Sequence, residues 1–342
     1  MKNGASKLKK PDSLSQFQNF VGFRNGFRRR RGEYKKTLYN AGIFFVFILY
    51  ISCASAPKVS LPGEDGGEEL SLLPPGARVY FWADAVKGRS LIEAISFDGK
   101  SAKDAGQILD NTSSAAAAIF TEGAAHGRRF FLVSSGNYPR LRANFSFGLS
   151  RDWKRQKSST GGNYWFSDVN NIALSLGSNI ALVSNMDPLS DFKAEVPPQG
   201  YNQFRRSHVM AGWINNPSNY LNNFLDAIGI PLQIPAEDFF FGVTRALGSP
   251  ELWELVFKIK TGSALQARSL LNLFSFARLF ITPGSTAQPA GEGALSMSPQ
   301  EMAALLFANL PELDGEYLTI RTNGLNESKV ALLFEIFSLY SR

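Results

Sequence analysis

The chain has 342 residues, of which 44% are hydrophobic and 19% charged, and its formal net charge is +7. The positive charge is concentrated at the N-terminus, because residues 1–52 hold 11 Lys and Arg against 2 Asp and Glu, whereas residues 53–342 hold 25 against 27. The larger part of the chain therefore lacks the basic surface that nucleic-acid-binding proteins need, and we expect no nucleic acid among its partners.

A segment typical of secretory signals occupies residues 1–52. Its basic region, residues 1–36, includes the run Arg28–Arg31, and an apolar stretch over residues 41–52 follows it. A basic region, an apolar core of roughly 7–15 residues and a small residue before the cleavage point are the three parts of such a signal. The segment predicts that the chain is exported and cleaved after Ser52.

Cys53, the only cysteine of the chain, stands directly after this apolar stretch. The junction resembles the lipobox of bacterial lipoproteins, and in particular the looser form of spirochaetes, because Tyr50 takes the place of the usual Leu and Leu49 lies one position earlier. The resemblance implies cleavage between Ser52 and Cys53 and acylation of Cys53, which would anchor the protein in a lipid bilayer. It identifies no family for the rest of the chain.

Two other interpretations fit the same segment. A single cysteine is often a small buried hydrophobic residue, although a core gives no reason for its position at this junction. Alternatively, residues 38–56 remain as an uncleaved membrane anchor, since their length approaches the roughly 20 residues that span a bilayer. Basic residues precede the apolar stretch and acidic residues follow it, so the remainder of the chain is exported in either membrane-bound form.

Residues 53–76 are rich in Pro, Gly, Ser and Glu. Such a composition buries too little apolar surface to order a chain, so we predict a flexible tether between the lipid anchor and a folded body. The body that follows is long enough for one large domain or two small ones. Because the chain has a single cysteine, the body has no disulfide framework despite its export.

The first half of the body, residues 77–186, shows the element order β-α-β-β-α. An aromatic and β-branched run indicates its first strand, two apolar runs separated by a Gly-containing turn indicate a hairpin, and apolar residues spaced by four indicate the second helix. The predicted elements are a strand at 78–84, a helix at 91–95, a hairpin from 115–121 and 129–134, and a helix at 138–154. Two further strands are predicted at 163–166 and 172–184.

The second half, residues 207–342, repeats this order after a Pro-containing linker at 187–206. Its predicted elements are a strand at 207–214, a helix at 217–228, a hairpin from 238–244 and 252–260, and a helix at 263–280. A helix at 299–309 and strands at 317–322 and 328–337 follow. We therefore predict an α+β fold made of two degenerate β-α-β-β-α repeats, with antiparallel sheets and helices packed on one face.

The sequence contains no catalytic motif and no cluster with metal-ligand spacing. His126 and His208 are far apart in sequence, and Asp84 and Asp238 lie at strand ends. We therefore expect no catalytic residue, no metal and no cofactor other than the lipid at Cys53. The alternative is an exported, lipid-anchored hydrolase whose site is assembled from distant residues such as Asp84 and His208.

A strongly apolar helix is predicted near the end of the second half. Its apolar residues cover more than one helical face, so it lies either in the core or against an apolar ligand, a partner or lipid. The candidate binding surface consists of Leu270, Leu271, Phe274, Phe276, Leu279 and Phe280. The favoured function is a non-enzymatic, membrane-anchored envelope lipoprotein that binds an envelope protein or an apolar ligand through a surface between the repeats.

Overall fold

The computed structural model describes residues 68–96, 109–120, 129–227, 233–280, 299–306 and 308–340. The chain enters through a 3₁₀ helix, Glu68–Leu72. The helices that follow are α1 (Arg89–Ser96), α2 (Arg140–Leu149), α3 (Tyr201–Arg206), α4 (Pro217–Ala227), α5 (Ala264–Phe280), α6 (Pro299–Leu306) and α7 (Glu327–Tyr340). The strands are β1 (Val79–Asp84), β2 (Thr112–Ile119), β3 (Phe130–Gly136), β4 (Lys154–Lys157), β5 (Asn163–Ser167), β6 (Ile172–Leu176), β7 (Ile180–Ser184), β8 (Met210–Ile214), β9 (Asp238–Ala246), β10 (Ser249–Lys260), β11 (Glu312–Asp314) and β12 (Tyr317–Arg321).

These strands form one 12-stranded sheet in the order β11-β12-β10-β9-β8-β1-β2-β3-β7-β6-β5-β4. Every pair of neighbours in this sheet is antiparallel. The fold is therefore α+β, as the sequence predicted.

The two halves of the body share this sheet. The first strands of the halves, β1 and β8, pair with each other from Val79 opposite Ile214 to Ala83 opposite Met210. On either side of this seam the order is β1-β2-β3 and β8-β9-β10, and each set has a helix after its first strand and another after its third. The first five elements thus follow the same order in both halves, whereas the elements after them differ, and the descent of the halves from one repeated unit stays a prediction.

Most of the helices cover one face of the sheet, called here the helical face. Strand side chains alternate between faces, and this face carries Phe81, Phe239 and Phe257 among other apolar residues. Helices α1, α4, α5 and α7 pack on it in one large cluster, and α2 continues the layer over β3, β6 and β7. The prediction that helices pack on one face of the sheet is therefore correct for these five helices.

The opposite face carries Tyr80, Trp82 and Trp213, and two short helices with their connecting segments cover much of it. Residues 68–76, which the sequence placed in the flexible tether, are packed here instead because Leu70 and Leu73 are buried against the strands. The overall composition of the segment predicted disorder, although these two leucines are enough to pack it against the sheet.

The segment predicted as a linker, residues 187–206, also lies against this opposite face. Phe192 meets the ring of Phe131 edge-on at 5.5 Å, and the Glu195 carboxylate accepts a hydrogen bond of 2.9 Å from the Tyr80 hydroxyl. Tyr201 and Phe204 of α3 are buried in the same cluster. The segment is a strap across the sheet rather than a free connection between two bodies.

Gly212 of β8 explains how aromatic residues fit so densely at the seam. A Cβ atom at this position would lie 2.3 Å from the Phe241 ring and 2.5 Å from the Tyr80 carbonyl oxygen. Such distances are far shorter than van der Waals contact, so glycine allows the Phe241 ring to lie over the backbone of β8.

Three local predictions were wrong. The single strand predicted at 172–184 is two strands, β6 and β7, which pair antiparallel with each other. The helix predicted at 138–154 ends at Leu149, and Lys154–Lys157 form strand β4. The strand predicted at 328–337 is part of helix α7, whose first turn is capped by the Asn326 side chain accepting a hydrogen bond from the Lys329 N–H. A short apolar run does not distinguish a strand from a buried helix, and here the capping residue was the better signal.

Candidate functional site

The predicted apolar surface on α5 is divided between core and solvent. Leu270 and Phe274 are 1% and 5% exposed and belong to the core of the helical face, and Leu271 packs against that core. Phe276 is 60% exposed. The side chains of Leu279 and Phe280 lie outside the described part of the structure. The α5 surface is therefore smaller than the sequence suggested, because the helix buries one of its two apolar faces.

A more exposed apolar surface lies on α2. Leu141, Phe145 and Leu149 are 87%, 69% and 70% exposed, and their spacing of four places them along one side of the helix. We call these three residues the α2 stripe. The spacing was visible in the sequence, but it is equally typical of a buried helix face.

The other side of α2 shows why the stripe faces outward. Ala143 and Phe147 are buried, and the Phe147 ring packs against Trp153 at 4.7 Å and Trp165 at 5.8 Å between ring centroids. The Trp165 indole N–H also donates to the Asn144 side-chain oxygen at 2.8 Å. These contacts fix the rotation of α2 about its axis, so the stripe cannot turn into the core without breaking them.

Basic residues lie at the two ends of α2 and on the strand β4. Arg140 and Arg151 are exposed at the two ends of α2. In β4, Arg155 pairs with Trp165 of β5 and therefore lies on the same face of the sheet as α2, and Lys157 lies on that face two residues further on. An exposed apolar helix face bordered by Lys and Arg is the arrangement by which proteins bind the surface of a membrane.

His208 lies on the opposite face, where its ring stacks on Phe204 at 4.0 Å between centroids. Its Nδ1 is 2.6 Å from the Phe204 carbonyl oxygen and 3.0 Å from the Ser207 hydroxyl, and its buried Nε2 has no hydrogen-bond partner among the described residues. Desolvation, reinforced by the nearby Arg321 charge, lowers the pKa of this imidazole. No described carboxylate contacts the ring, so it lacks the partner that would orient a catalytic base.

The two aspartates at strand ends have local roles. Asp84 accepts hydrogen bonds from the N–H groups of Val86 and Lys87 at 3.0 and 2.9 Å, and so it caps the turn into α1. Burial raises the pKa of Asp238, against the opposing effect of the Lys260 charge. The described residues bring neither aspartate into contact with His208.

Several predicted residues lie outside the described ranges, namely Ser52, Cys53 and His126. Within those ranges, no group of three or more His, Cys, Asp or Glu side chains has the geometry to hold a metal ion. Of the helices found there, none combines the length and the apolar character that crossing a bilayer requires.

The fold resembles that of solved proteins. Crystal form IV of TP0453 aligns with a TM-score of 0.50 and 17% identity over 78% of this chain and 96% of that one. Crystal form III aligns with a TM-score of 0.49, also at 17% identity, over 78% and 97%. At such identity the likeness shows a shared fold alone. No curated protein sequence matches the chain.

The sequence itself matches a protein family. The model of the family described as outer membrane-associated lipoprotein TP0453 covers residues 66–237, which include the seam, the strap and α2. The resemblance to lipoproteins at the N-terminus and the match over the folded body therefore agree, although they concern different parts of the chain. This protein belongs to the TP0453 family of outer membrane-associated lipoproteins and is a membrane-anchored lipoprotein of the cell envelope.

Proposed function

We propose that this lipoprotein is non-enzymatic, that acyl chains on Cys53 hold it in the membrane, and that its body rests on the membrane surface through the α2 stripe. The observation that carries the proposal is the exposure of Leu141, Phe145 and Leu149 on a helix whose rotation is fixed by buried aromatic residues. Exposing three large apolar side chains along one side of a helix is unfavourable in water, because full burial of each would contribute about 1.5–3 kcal/mol of free energy.

Lipid is the occupant that fits this surface best. A protein partner would also cover apolar residues, but basic residues at the ends of α2 and on β4 match anionic lipid headgroups, namely Arg140, Arg151, Arg155 and Lys157. The family is membrane-associated, so the body is held close to a bilayer in any case. Among the described residues, no arrangement of His208, Asp84 and Asp238 favours a hydrolase.

The lipid anchor is tested by labelling cells with a clickable palmitate and comparing the wild type with Cys53→Ala. We expect label on the wild-type protein and none on the variant, with the variant passing to the soluble fraction or remaining as an unprocessed precursor. Label that persists on Cys53→Ala would contradict acylation at this cysteine. If the wild type carries no label and both proteins stay completely in the membrane fraction, residues 38–56 are favoured as an uncleaved anchor.

The surface contact is tested with residues 54–342, which lack both the acyl chains and the apolar signal. We expect this body to float with phosphatidylglycerol-containing vesicles, and the triple change Leu141→Gln, Phe145→Gln and Leu149→Gln to reduce the bound fraction at least fivefold. Because all three positions are exposed, the free energy of unfolding in urea should change by less than about 1 kcal/mol.

The matched control changes two equally exposed apolar residues elsewhere, Val169→Gln and Leu247→Gln, which are 76% and 97% exposed. This control should bind vesicles like the wild type. If the triple variant also floats like the wild type, the α2 stripe is not the contact surface.

A further inference from the structure

The sheet has two open edges at opposite ends of its strand order. Strand β4 pairs only with β5, and β11 pairs only with β12, among the strands that the structure describes. An open edge presents unpaired N–H and C=O groups to which another strand can add. Each edge therefore offers a backbone surface for a partner strand.

The two edges carry opposite charges. Strand β4 contains Lys154, Arg155 and Lys157, and β11 contains Glu312 and Asp314. Arg155, Lys157 and Asp314 are exposed and form no ion pair with other described residues, whereas Lys154 pairs with Asp168 and Glu312 lies 3.6 Å from Arg321. Two β4 edges or two β11 edges would repel each other, but a β4 edge and a β11 edge attract.

Strand direction fits the same combination. The sheet has 12 strands and each neighbouring pair is antiparallel, so the two outermost strands, β11 and β4, run in opposite directions. A second copy placed in the same orientation beyond β4 would therefore bring its β11 antiparallel to β4, and its helical face would continue that of the first copy. We propose that copies of this chain associate edge to edge through β4 of one and β11 of the next.

Side-chain alternation selects a register for this junction. Arg155 lies on the helical face beside Trp165, and Leu313 lies on the same face beside the core residue Leu318. Placing Arg155 opposite Leu313 brings Lys154 opposite Asp314 and Gln156 opposite Glu312, all on the other face. Pro311, which has no N–H to donate, then marks the end of the paired stretch.

The junction is short, and it joins two different edges of the sheet. When two copies pair, the β11 edge of the first copy and the β4 edge of the second therefore remain free. Three residue pairs make a weak association, which charge attraction strengthens at low salt. Confinement of the lipoprotein to a membrane raises the local concentration at which such contacts form.

The experiment uses the full chain, purified from membranes and reconstituted in phosphatidylcholine vesicles. Arg155→Cys and Leu313→Cys variants are oxidised separately and as a mixture, with the wild type as a control for Cys53. We expect the mixture to form disulfide-linked dimers at least tenfold faster than either variant alone, because only the mixed pair faces across the proposed junction. Equal rates in all three samples would overturn the proposal.

Charge reversal gives an independent measurement in the same mixture. Lys154→Glu on the Arg155→Cys chain, or Asp314→Lys on the Leu313→Cys chain, should slow mixed cross-linking at least fivefold, and the two reversals together should restore it. The control Lys193→Glu, at an exposed position on the strap, should have no effect. Cross-linking that is unaffected by Lys154→Glu, or slow pairing that is not restored by the double reversal, would also overturn the edge contact.

Discussion

At the scale of single residues, His208 shows how burial rather than a catalytic partner governs a titratable group. Its ring lies against Gly242, where a Cβ atom would come within 2.6 Å of the imidazole, and Phe204 stacks on it. Desolvation and the charge of Arg321 both disfavour the imidazolium, so the pKa of His208 lies below its usual value. The sequence showed only an isolated histidine at the start of a strand and gave no indication of this packing.

The lowered pKa predicts a contribution of His208 to acid destabilisation. In the unfolded chain the imidazole takes up a proton below its ordinary pKa of about 6.5, whereas the folded chain resists protonation until the pH is lower. Unfolding therefore takes up a proton in this window, and the free energy of unfolding falls as the pH drops from about 6.5 through the folded pKa.

The measurement compares urea unfolding of the wild type and His208→Gln at pH 8 and pH 5. The wild type should lose more stability between the two pH values than the variant, in which the group no longer titrates. Identical losses in both proteins would show that His208 has the same pKa in the folded and unfolded chain.

At the scale of elements, the sequence predicted which strands and helices exist, and their order along the chain, better than it predicted which face of a helix is buried. The strands β1, β2, β3, β8, β9 and β10 overlap the apolar runs that predicted them. Periodicity could not show which apolar face of a helix is buried, so the stripe on α2 was missed and Leu270 and Phe274 of α5 were assigned to a surface. Orientation is decided by tertiary contacts such as that of Phe147 with Trp153, which local sequence does not contain.

Two substitutions in helix α5 test which of its faces is buried. Leu270→Ala should cost about 2–5 kcal/mol in the free energy of unfolding, because it leaves a cavity in the core of the helical face. Leu265→Ala on the same helix should change it by less than about 0.5 kcal/mol, since Leu265 is 78% exposed. Equal effects in chemical denaturation would mean that α5 buries a different face.

At the scale of the whole molecule, the two halves share one sheet. Five residue pairs join β1 to β8, and the strap between the halves covers Tyr80 and Trp213 on one side of that seam. The sequence predicted an α+β body and the order of the first five elements along each half. It could not predict that the halves pair through their first strands, because this pairing joins residues that are distant along the chain.

The shared sheet predicts cooperative behaviour. The body should unfold in a single urea transition when followed by both fluorescence and circular dichroism, and residues 68–206 expressed alone should fail to give cooperative unfolding. Adding residues 207–342 should restore it. Two separate transitions, or a stably folded fragment 68–206, would show instead that each half is an independent domain.

The seam also has a consequence for how an exported protein of this kind reaches its folded state. The end of β1 and the start of β8 are separated by 126 positions along the chain. Contacts between such distant residues close large loops and slow folding. A chain that crosses a membrane from its N-terminus delivers β1 well before β8. Strand β1, with Tyr80 and Trp82, therefore lacks β8 as a pairing partner until Met210–Ile214 have crossed. We therefore expect the interval between the passage of these two strands to be the time at which the newly exported chain most needs protection from aggregation.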